Sequence, residues 1–415
     1  MATIPLLPGP SMDNVHDASH AVFQPRPTAG GGMQPSERVR AIVDMDLDSD
    51  GTLSSRPGVT AVRTLTAGRR LWSKGGMLLS QDGGTLNLED PTTGTARALA
   101  TGCGPLVAHE WPTGGDRVWL DDGVDHICVQ GGVAVSWGLP VAPEPTVTKI
   151  SGALPEASYL IVATFRTGSL SDASAQEGGA RAPLRYTLSA PCGLRVRVPV
   201  ADPQATHVSF YCSRPDQPEP MLAGVVAVVL GAAMLDLIDE AQLHWSEVPL
   251  LTQDWGPPPA GITALGSVQA HLLAGVGRAL YRSWAGRPGL FRYGREVQMF
   301  PADITTIVGL QDGAYVGTTA GLYWLSGDSA TSWRLALPDA APVLSEGAAV
   351  PGAIFPTLQT EAQIALFVTA RGWVAGLPGG QARHLTQDVY HFPAAARVSI
   401  AWHQGALRQV FAAVT

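Results

Sequence analysis

A strand–turn–strand pattern that is repeated along the chain is the feature that most constrains its fold. Each copy has an alternating apolar run, a short turn with Gly, Asp or Thr, and a second apolar run. The clear copies are DRVWLDDGVDHICVQGG (116–132), HLLAGVGRALYRSW (271–284), GAYVGTTAGLYWLSG (313–327) and IALFVTARGWVAGLPGG (364–380), and a weaker copy is RLWSKGGMLLSQDGGTLNLED (70–90). A recurrence of about 40–50 residues, with roughly four strands a unit, predicts a β-propeller of about six blades.

Residues 142–250 interrupt this period. They begin with a Pro-rich linker, VAPEPTVT, and continue as short apolar segments separated by turns. Six or seven short strands within about a hundred residues are typical of an immunoglobulin- or fibronectin-III-like β-sandwich. The predicted strands are 158–167, 184–190, 194–200, 206–214, 221–229 and 232–239. We therefore expect an all-β chain in which a sandwich is inserted into a propeller.

The domain organisation follows from these two patterns. We predict an extended N-terminal arm at 1–40, the first part of the propeller at 41–141, the inserted sandwich at 142–250, and the second part of the propeller at 262–415. The C-terminal stretch RVSIAWHQGALRQVFAAVT (397–415) predicts a two-stranded hairpin. We expect this hairpin to complete a blade begun near residues 39–62 and so to close the ring.

Composition narrows the classes of function. The net charge is −8 and no Lys/Arg run occurs, which argues against a protein that grips duplex phosphates with clustered cations. The longest apolar run, 221–235, is too short to cross a bilayer and predicts two core strands with a turn near Gly231. The chain has four cysteines, Cys103, Cys128, Cys192 and Cys212. No C-x-x-C spacing occurs, so we expect free thiols, with Cys192 and Cys212 as the one pair left open for a disulfide.

The stretch DMDLDSDGTLSSRPG (44–58) has two interpretations. Asp46, Asp48 and Asp50, followed by Gly51, match the first half of an EF-hand calcium loop. The residue at the position of the required bidentate glutamate is Pro57, and the flanks alternate as in a strand. The sequence therefore favours a hairpin with an Asp-Gly turn, while calcium binding by these aspartates stays an open alternative.

Other patterns with chemical meaning are incomplete. SGDSATSW (326–333) and SQDGG (80–84) resemble the Asp-box, a turn motif of sialidase-like propellers. His16 and His20 have helical spacing without a third metal ligand, and His109-Glu110 lacks the second histidine of a zinc protease motif. Candidate side chains for a glycosidase are Tyr281, Arg287, Arg292 and Tyr293, which no spacing selects. We predict no catalytic, cofactor-binding or metal-ligating residue, and no cofactor.

Tryptophans accompany the repeated hairpins. Those in or beside the copies are Trp72, Trp119, Trp284, Trp324 and Trp373. A carbohydrate-binding surface is one interpretation. Aromatic packing between blades is the interpretation that the sequence favours, because large rings fill the space between facing sheets.

Several segments of this chain resemble a family of phage virion proteins. They include TIPLLPGPSMDNV, VDMDLDSDGTLSSRPG, WGLPVAPEPTVT, DGAYVGTTAGLYWLSG, ARGWVAGLPGGQARHLT and GALRQVFAAV. This chain looks like the tail hub, or nozzle, proteins of short-tailed phages and related prophages. The resemblance implies a propeller with extra β-domains. It also implies a homo-oligomeric ring, often a hexamer, which lies below the portal and adaptor and docks tail fibre or spike proteins.

The expected function is mechanical. The ring would seal and guide DNA exit, with non-specific passage of DNA through its lumen, and the protein would reside in the virion tail after assembly in the bacterial host cytoplasm. We expect no catalysis and no membrane span. Two alternatives stay open: a carbohydrate-active or glycan-binding sialidase-like propeller, and a peripheral tail-fibre adaptor that recognises the host.

Overall fold

The computed structural model describes residues 64–110, 117–172, 174–240, 246–327 and 332–386, together with short strands towards both ends. The strands described before residue 64 are β1 (Ile4–Pro5), β2 (Arg26–Pro27), β3 (Met33–Gln34), β4 (Met45–Leu47) and β5 (Thr52–Ser55). Strands β1, β5 and β4 form one antiparallel sheet, and β2 pairs with β3. Met45 lies opposite Ser55 and Leu47 opposite Leu53, which is the pairing that the hairpin interpretation predicts. Asp48, Asp50 and Gly51 lie outside the described residues.

Two four-stranded sheets follow, here called meanders 1 and 2. Meander 1 contains β6 (Gly68–Lys74), β7 (Met77–Asp82), β8 (Thr85–Glu89) and β9 (Ala96–Thr101). Meander 2 contains β10 (Val107–Glu110), β11 (Arg117–Asp121), β12 (His126–Gln130) and β13 (Val133–Ser136). In both sheets each strand pairs antiparallel with the next strand in sequence, which is the strand order of a propeller blade.

The chain then forms a two-sheet insert. Its strands are β14 (Thr146–Leu154), β15 (Ser158–Arg166), β16 (Leu184–Thr187), β17 (Cys192–Pro199), β18 (His207–Ser213), β19 (Pro220–Ala227) and β20 (Ala232–Leu237). One sheet has the order β14-β17-β20 and the other β16-β15-β18-β19. Tyr159, Val196 and Phe210 are buried in one core that both sheets share. The apolar run 221–235 forms β19 and β20, and the turn at Gly231 carries the chain from one sheet to the other.

One boundary in the insert differs from the sequence prediction. The stretch VAPEPTVT (141–148) is predicted to be linker, but β14 begins at Thr146. Most side chains of this edge strand are exposed or half-buried, up to the buried Leu154. A strand without a buried face lacks the alternation by which strands are recognised, so the sequence gives no signal for it.

Three further meanders complete the described chain. Meander 3 contains β21 (Ala264–Val268), β22 (His271–Val276), β23 (Ala279–Trp284), β24 (Arg287–Phe291) and β25 (Val297–Met299); meander 4 contains β26 (Ile304–Gly309), β27 (Ala314–Thr318), β28 (Leu322–Ser326) and β29 (Arg334–Asp339); meander 5 contains β30 (Ala348–Pro351), β31 (Gln363–Thr369), β32 (Gly372–Gly376) and β33 (Ala382–His384). The terminal hairpin pairs β34 (Val398–Gln404) with β35 (Arg408–Val414). The helical turns of the described residues are the 3-10 segments Gly352–Ile354, Pro356–Leu358 and Pro378–Gly380.

Successive meanders pack face to face. Strand β27 shows why: all five of its residues are buried, because both faces of the strand are covered. Val316 lies in the core shared with meander 3, and the neighbouring Tyr315 lies in the core shared with meander 5. Since successive side chains of a strand point to opposite faces, a central strand between two sheets becomes apolar throughout. The same relation joins meanders 1 and 2, and meanders 2 and 3.

The expectation of an all-β chain built from repeated four-stranded antiparallel units is confirmed. The four clear sequence copies correspond to the second and third strands of meanders 2 to 5. These two strands carry the strongest signal because they are buried on both faces. The hairpin predicted at 397–415 forms, and its completion by residues 39–62 stays a prediction. Within the described residues, no helix is long and apolar enough to cross a membrane.

Candidate functional site: the axial strands and the insert junction

The first strand of each meander contacts the first strand of the next. The series runs from β6 through β10, β21, β26 and β30 to β34 in the terminal hairpin. We call these six the axial strands. Strands β21 and β26 lie close together, since a Cβ on Gly309 would lie 1.5 Å from the carbonyl oxygen of Ser267. Only glycine permits this contact, so the sequence itself sets the spacing of the two strands.

Polar side chains connect the axial strands. His109 Nε2 lies 2.8 Å from Ser267 Oγ and so links meanders 2 and 3. Thr306 in meander 4 donates its hydroxyl to the carbonyl of Glu346, in the segment that leads into β30. The carboxylate of Glu346 also pairs with Arg70 of β6. Meander 1 is therefore tied directly to the start of meander 5.

Burial changes the protonation chemistry along the axial strands. His109 is half-buried, and only part of its surface is in contact with water. Desolvation, with a smaller contribution from the positive charge of Lys74, lowers the pKa of His109 to about 3. Burial also lowers the pKa of Lys74, and the carboxylate of Glu110 opposes that change. The axial region thus has a neutral imidazole near the amino group of Lys74 at neutral pH.

His109 and Glu110 do not converge on one ligand. They are consecutive residues of β10, so their side chains point to opposite faces. His109 faces Ser267 in meander 3, whereas Glu110 interacts with Lys74 in meander 1. This is consistent with the absence of a zinc protease motif in the sequence. The sequence reasoning overlooked Lys74, although its rarity was a signal, because Lys74 and Lys149 are the only lysines in the chain.

The four tyrosine and arginine candidates for a glycosidase come together at meander 3. Tyr281 and Tyr293 are in edge-to-face contact, with centroids 5.9 Å apart. The guanidinium of Arg287 lies 5.0 Å from the ring of Trp284, and that of Arg292 lies 5.8 Å from the ring of Trp255.

Trp255 and Trp284 themselves stack with centroids 4.8 Å apart. Arg292, Trp255, Trp284 and Arg287 thus form one series of ring contacts, here called the stack. Each tryptophan ring thus contacts the other tryptophan and one arginine of the protein itself. Trp255 belongs to the linker that returns from the insert, and the stack fastens this linker to meander 3.

A second set of contacts docks the insert beside this stack. The amide of Ala180 donates to Thr252 O at 2.9 Å, and the amide of Asp254 donates to Ala180 O at 3.3 Å. A Cβ on the preceding Gly179 would lie 1.8 Å from the carbonyl oxygen of Trp255. The loop after β15 and the return linker are therefore in direct backbone contact.

Glu177 holds that loop from inside the insert. Its carboxylate accepts hydrogen bonds from Thr164 and from Tyr211, the latter at 2.7 Å, and Arg166 lies 3.6 Å away. Burial, together with the negative charge of Glu177, raises the pKa of Tyr211 well above its ordinary value. Tyr211 therefore remains a hydrogen-bond donor at all working pH values, and the loop stays anchored.

The remaining sequence candidates have structural roles or lie outside the described residues. Trp72, Trp119 and Trp324 are buried between successive meanders, as the packing interpretation predicts. Trp373 is partly buried in meander 5, and Trp284 belongs to the stack. All four cysteines are free thiols. Asp82, in the SQDGG turn, accepts the amide of Ala67 at 2.6 Å, which is a turn-stabilising role. His16, His20 and residues 328–331 of the other Asp-box-like segment lie outside the described residues.

Comparison with known proteins yields distant structural neighbours. No protein-family model and no curated protein sequence matches the chain. BBS1N, solved in complex with ARL6DN, is 12% identical with a TM-score of 0.33, covering 86% of this chain and 90% of that chain. Apo AztD from Citrobacter koseri is 12% identical with a TM-score of 0.31, covering 81% and 87%. Sqt1 from Saccharomyces cerevisiae is 9% identical with a TM-score of 0.21, covering 71% and 90%. These TM-scores are too low to assign a shared fold or function.

Proposed function

We propose that this chain is a non-catalytic structural protein of a phage tail, forming the hub or nozzle ring below the portal and adaptor. The observation that carries the proposal is the composite architecture: a series of blade-like meanders interrupted by one two-sheet insert, whose return linker is hydrogen-bonded to meander 3. Extra β-domains on a propeller are what the resemblance to tail hub proteins implies. The ring would seal and guide DNA exit and dock other tail parts.

The finer architecture belongs to the same proposal. The five meanders and the terminal hairpin form a closed propeller of six blades. Two observations support closure: the axial strands contact one another in chain order, and the Arg70–Glu346 pair joins meander 1 to the start of meander 5. The sixth blade would then lie between these two meanders, where β34 contacts β30.

The insert is proposed to be immunoglobulin- or fibronectin-III-like. Its four-stranded sheet has the order β16-β15-β18-β19, and β14 pairs with β17 in the facing sheet. With β15 taken as strand C, this matches the C′-C-F-G sheet opposite strands B and E. Strand β20 departs from that scheme. It is the last strand of the insert and pairs antiparallel with β17, the strand that corresponds to E.

The net charge of the chain and the contacts among its own polar and aromatic side chains support a mechanical role. The net charge of −8 suits a ring whose lumen repels or ignores phosphate rather than gripping it. The polar groups described on the axial strands join one strand to the next, and the arginine–tryptophan stack joins the return linker to meander 3. These groups act as structural connections, which supports the proposal over a glycan-cleaving propeller.

Imaging of the tail tests the proposal. Class averages of virions that contain this protein should place six or twelve copies around the tail axis, and the purified protein should form rings. A protein that is monomeric in solution and forms no ring in the virion would overturn the hub proposal. A trimeric spike at the tail periphery would favour the adaptor alternative, and hydrolysis of any member of a broad glycan panel would favour the carbohydrate-active alternative.

A further inference from the structure

Lys74 is the lysine that lies on an axial strand. It is the last residue of β6, directly before the Gly75-Gly76 turn, and its side chain is half-buried. Trp72 lies two residues earlier on the same face of the strand and is buried in the core between meanders 1 and 2. The side chain of Lys74 therefore points towards meander 2, where β6 contacts β10.

The amino group of Lys74 lacks a polar partner. Within the described residues it makes no hydrogen bond and no ion pair. The carboxylate of Glu110, on β10, influences it electrostatically without forming an ion pair. An ammonium group carries three donors, and removing it from water without acceptors is costly. This position therefore favours the neutral amine.

The protonation chemistry agrees with this geometry. Burial lowers the pKa of Lys74, and the negative charge of Glu110 opposes that change as a smaller effect. A neutral amine has a free lone pair and is a nucleophile, whereas an ammonium ion is not. Part of the side chain of Lys74 is in contact with water, so small molecules in solution can reach it.

We propose that Lys74 is a site of covalent modification by small uncharged aldehydes. The amine nitrogen attacks the carbonyl carbon and forms a C–N bond, and one N–H proton is transferred to the carbonyl oxygen. The resulting carbinolamine loses its hydroxyl group and the second N–H proton as water, which leaves an imine. The step is a condensation and needs neither an oxidant nor a reductant.

The surroundings of Lys74 define the class of aldehyde. Half-burial of the side chain disfavours a bulky reagent, and the negative charge of Glu110 disfavours an anionic one. The neighbouring core around Trp72 suits a short aliphatic chain. This chemistry is stoichiometric, and it goes beyond the proposed ring, since it does not depend on how copies of the chain assemble.

Trapping with propanal and cyanoborohydride tests the proposal in the full chain. Cyanoborohydride reduces the imine to a stable secondary amine, which is then located by peptide mass. Cleavage after arginine places the two lysines in separate peptides, 71–97 for Lys74 and 118–166 for Lys149. Lys149 is exposed on β14 and is the internal control. At pH 7 Lys74 should be labelled roughly tenfold faster than Lys149, because an exposed lysine is almost entirely protonated there.

The pH profile of labelling separates a neutral amine from mere accessibility. The rate for Lys74 should reach half of its maximum at a lower pH than the rate for Lys149. Glu110→Gln should move the Lys74 profile to still lower pH, because it removes the charge that favours the ammonium form. Glu219→Gln, at an exposed glutamate of the insert, is the matched control and should leave the profile unchanged.

Denatured protein supplies the reference. In urea the two lysines should be labelled at equal rates, so that any difference in the folded chain is due to the fold. Equal rates in the folded chain, labelling of Lys74 only after denaturation, or the same pH profile for both lysines would overturn the proposal. Each of these results would leave the hub proposal untouched, because imaging of the tail tests that proposal separately.

Discussion

Replacing Gly179 with alanine is expected to loosen the docking of the insert on meander 3. The added Cβ would lie 1.8 Å from the carbonyl oxygen of Trp255, and real Cβ contacts are essentially never under 3.0 Å. The loop and the return linker must therefore move apart by more than an ångström. The two hydrogen bonds beside this point, Ala180 to Thr252 at 2.9 Å and Asp254 to Ala180 at 3.3 Å, would then exceed hydrogen-bonding distance.

The magnitude follows from these two bonds. Each is worth about 1 kcal/mol net, so the free energy of opening the junction should fall by about 2 kcal/mol. That corresponds to about a thirty-fold larger population of the undocked junction. The stacked Trp255 and Trp284 lie next to the opened segment, so we expect their contact to loosen in the same event.

Hydrogen exchange in the full chain measures this effect. The amides of Ala180 and Asp254 should exchange about thirty-fold faster in the Gly179→Ala variant. Amides in the buried strands β15 and β18 should be unaffected. Gly294→Ala is the matched control, because its added Cβ would meet nothing within 4 Å. Unchanged exchange at Ala180 in a folded variant would refute the docking role of this contact, and uniformly faster exchange would refute the junction as a separate unit.

Three further outcomes are expected. Tyr315→Phe should lower the free energy of unfolding in urea by about 1 kcal/mol, because the single hydroxyl proton of the buried Tyr315 is shared between the carbonyls of Leu377 and Gln381, at 2.7 Å and 2.8 Å. Tyr186→Phe, on the edge strand β16, is the control, and equal losses in both would contradict this. The pKa of about 3 for His109, against 6.5 for an exposed histidine, means that the unfolded chain takes up the proton first as pH falls, so stability is lost between pH 6.5 and 3, by up to about 2 kcal/mol at pH 5. His109→Gln should remove that part of the pH dependence, and identical slopes in both proteins would count against it. A thiol-reactive dye should label the half-buried Cys192 first and all four cysteines after denaturation; fewer than four would indicate a disulfide.

The repeated units were predictable because their chemistry is local. A central strand such as β27 is covered on both faces, so all of its residues are apolar or small, and its neighbour β28 follows after a short turn. The hairpin is therefore visible within fifteen letters of sequence. Strand β14 lacked such a signal because its side chains are mostly exposed.

The candidate site was less predictable because it depends on contacts between distant residues. His109 and Ser267 are 158 positions apart, and their pairing follows from the order in which the meanders stack. Trp255 lies in the linker that leaves the insert, and only the return of the chain to meander 3 places its ring on Trp284. Residue types were visible in both cases, but the sequence carries no local pattern that brings them together.

The insert leaves and rejoins the series of meanders at one point. A Cβ on Gly138, where the chain departs, would lie 2.1 Å from the side chain of Pro258, where it returns. Trp137 and Ile262 on either side of this point are buried in one core between meanders 2 and 3. A force applied to the sandwich is therefore transmitted to the interface between meanders 2 and 3, as torque from a lever arm. The interfaces between the other meanders would experience that torque only if meanders 2 and 3 rotated.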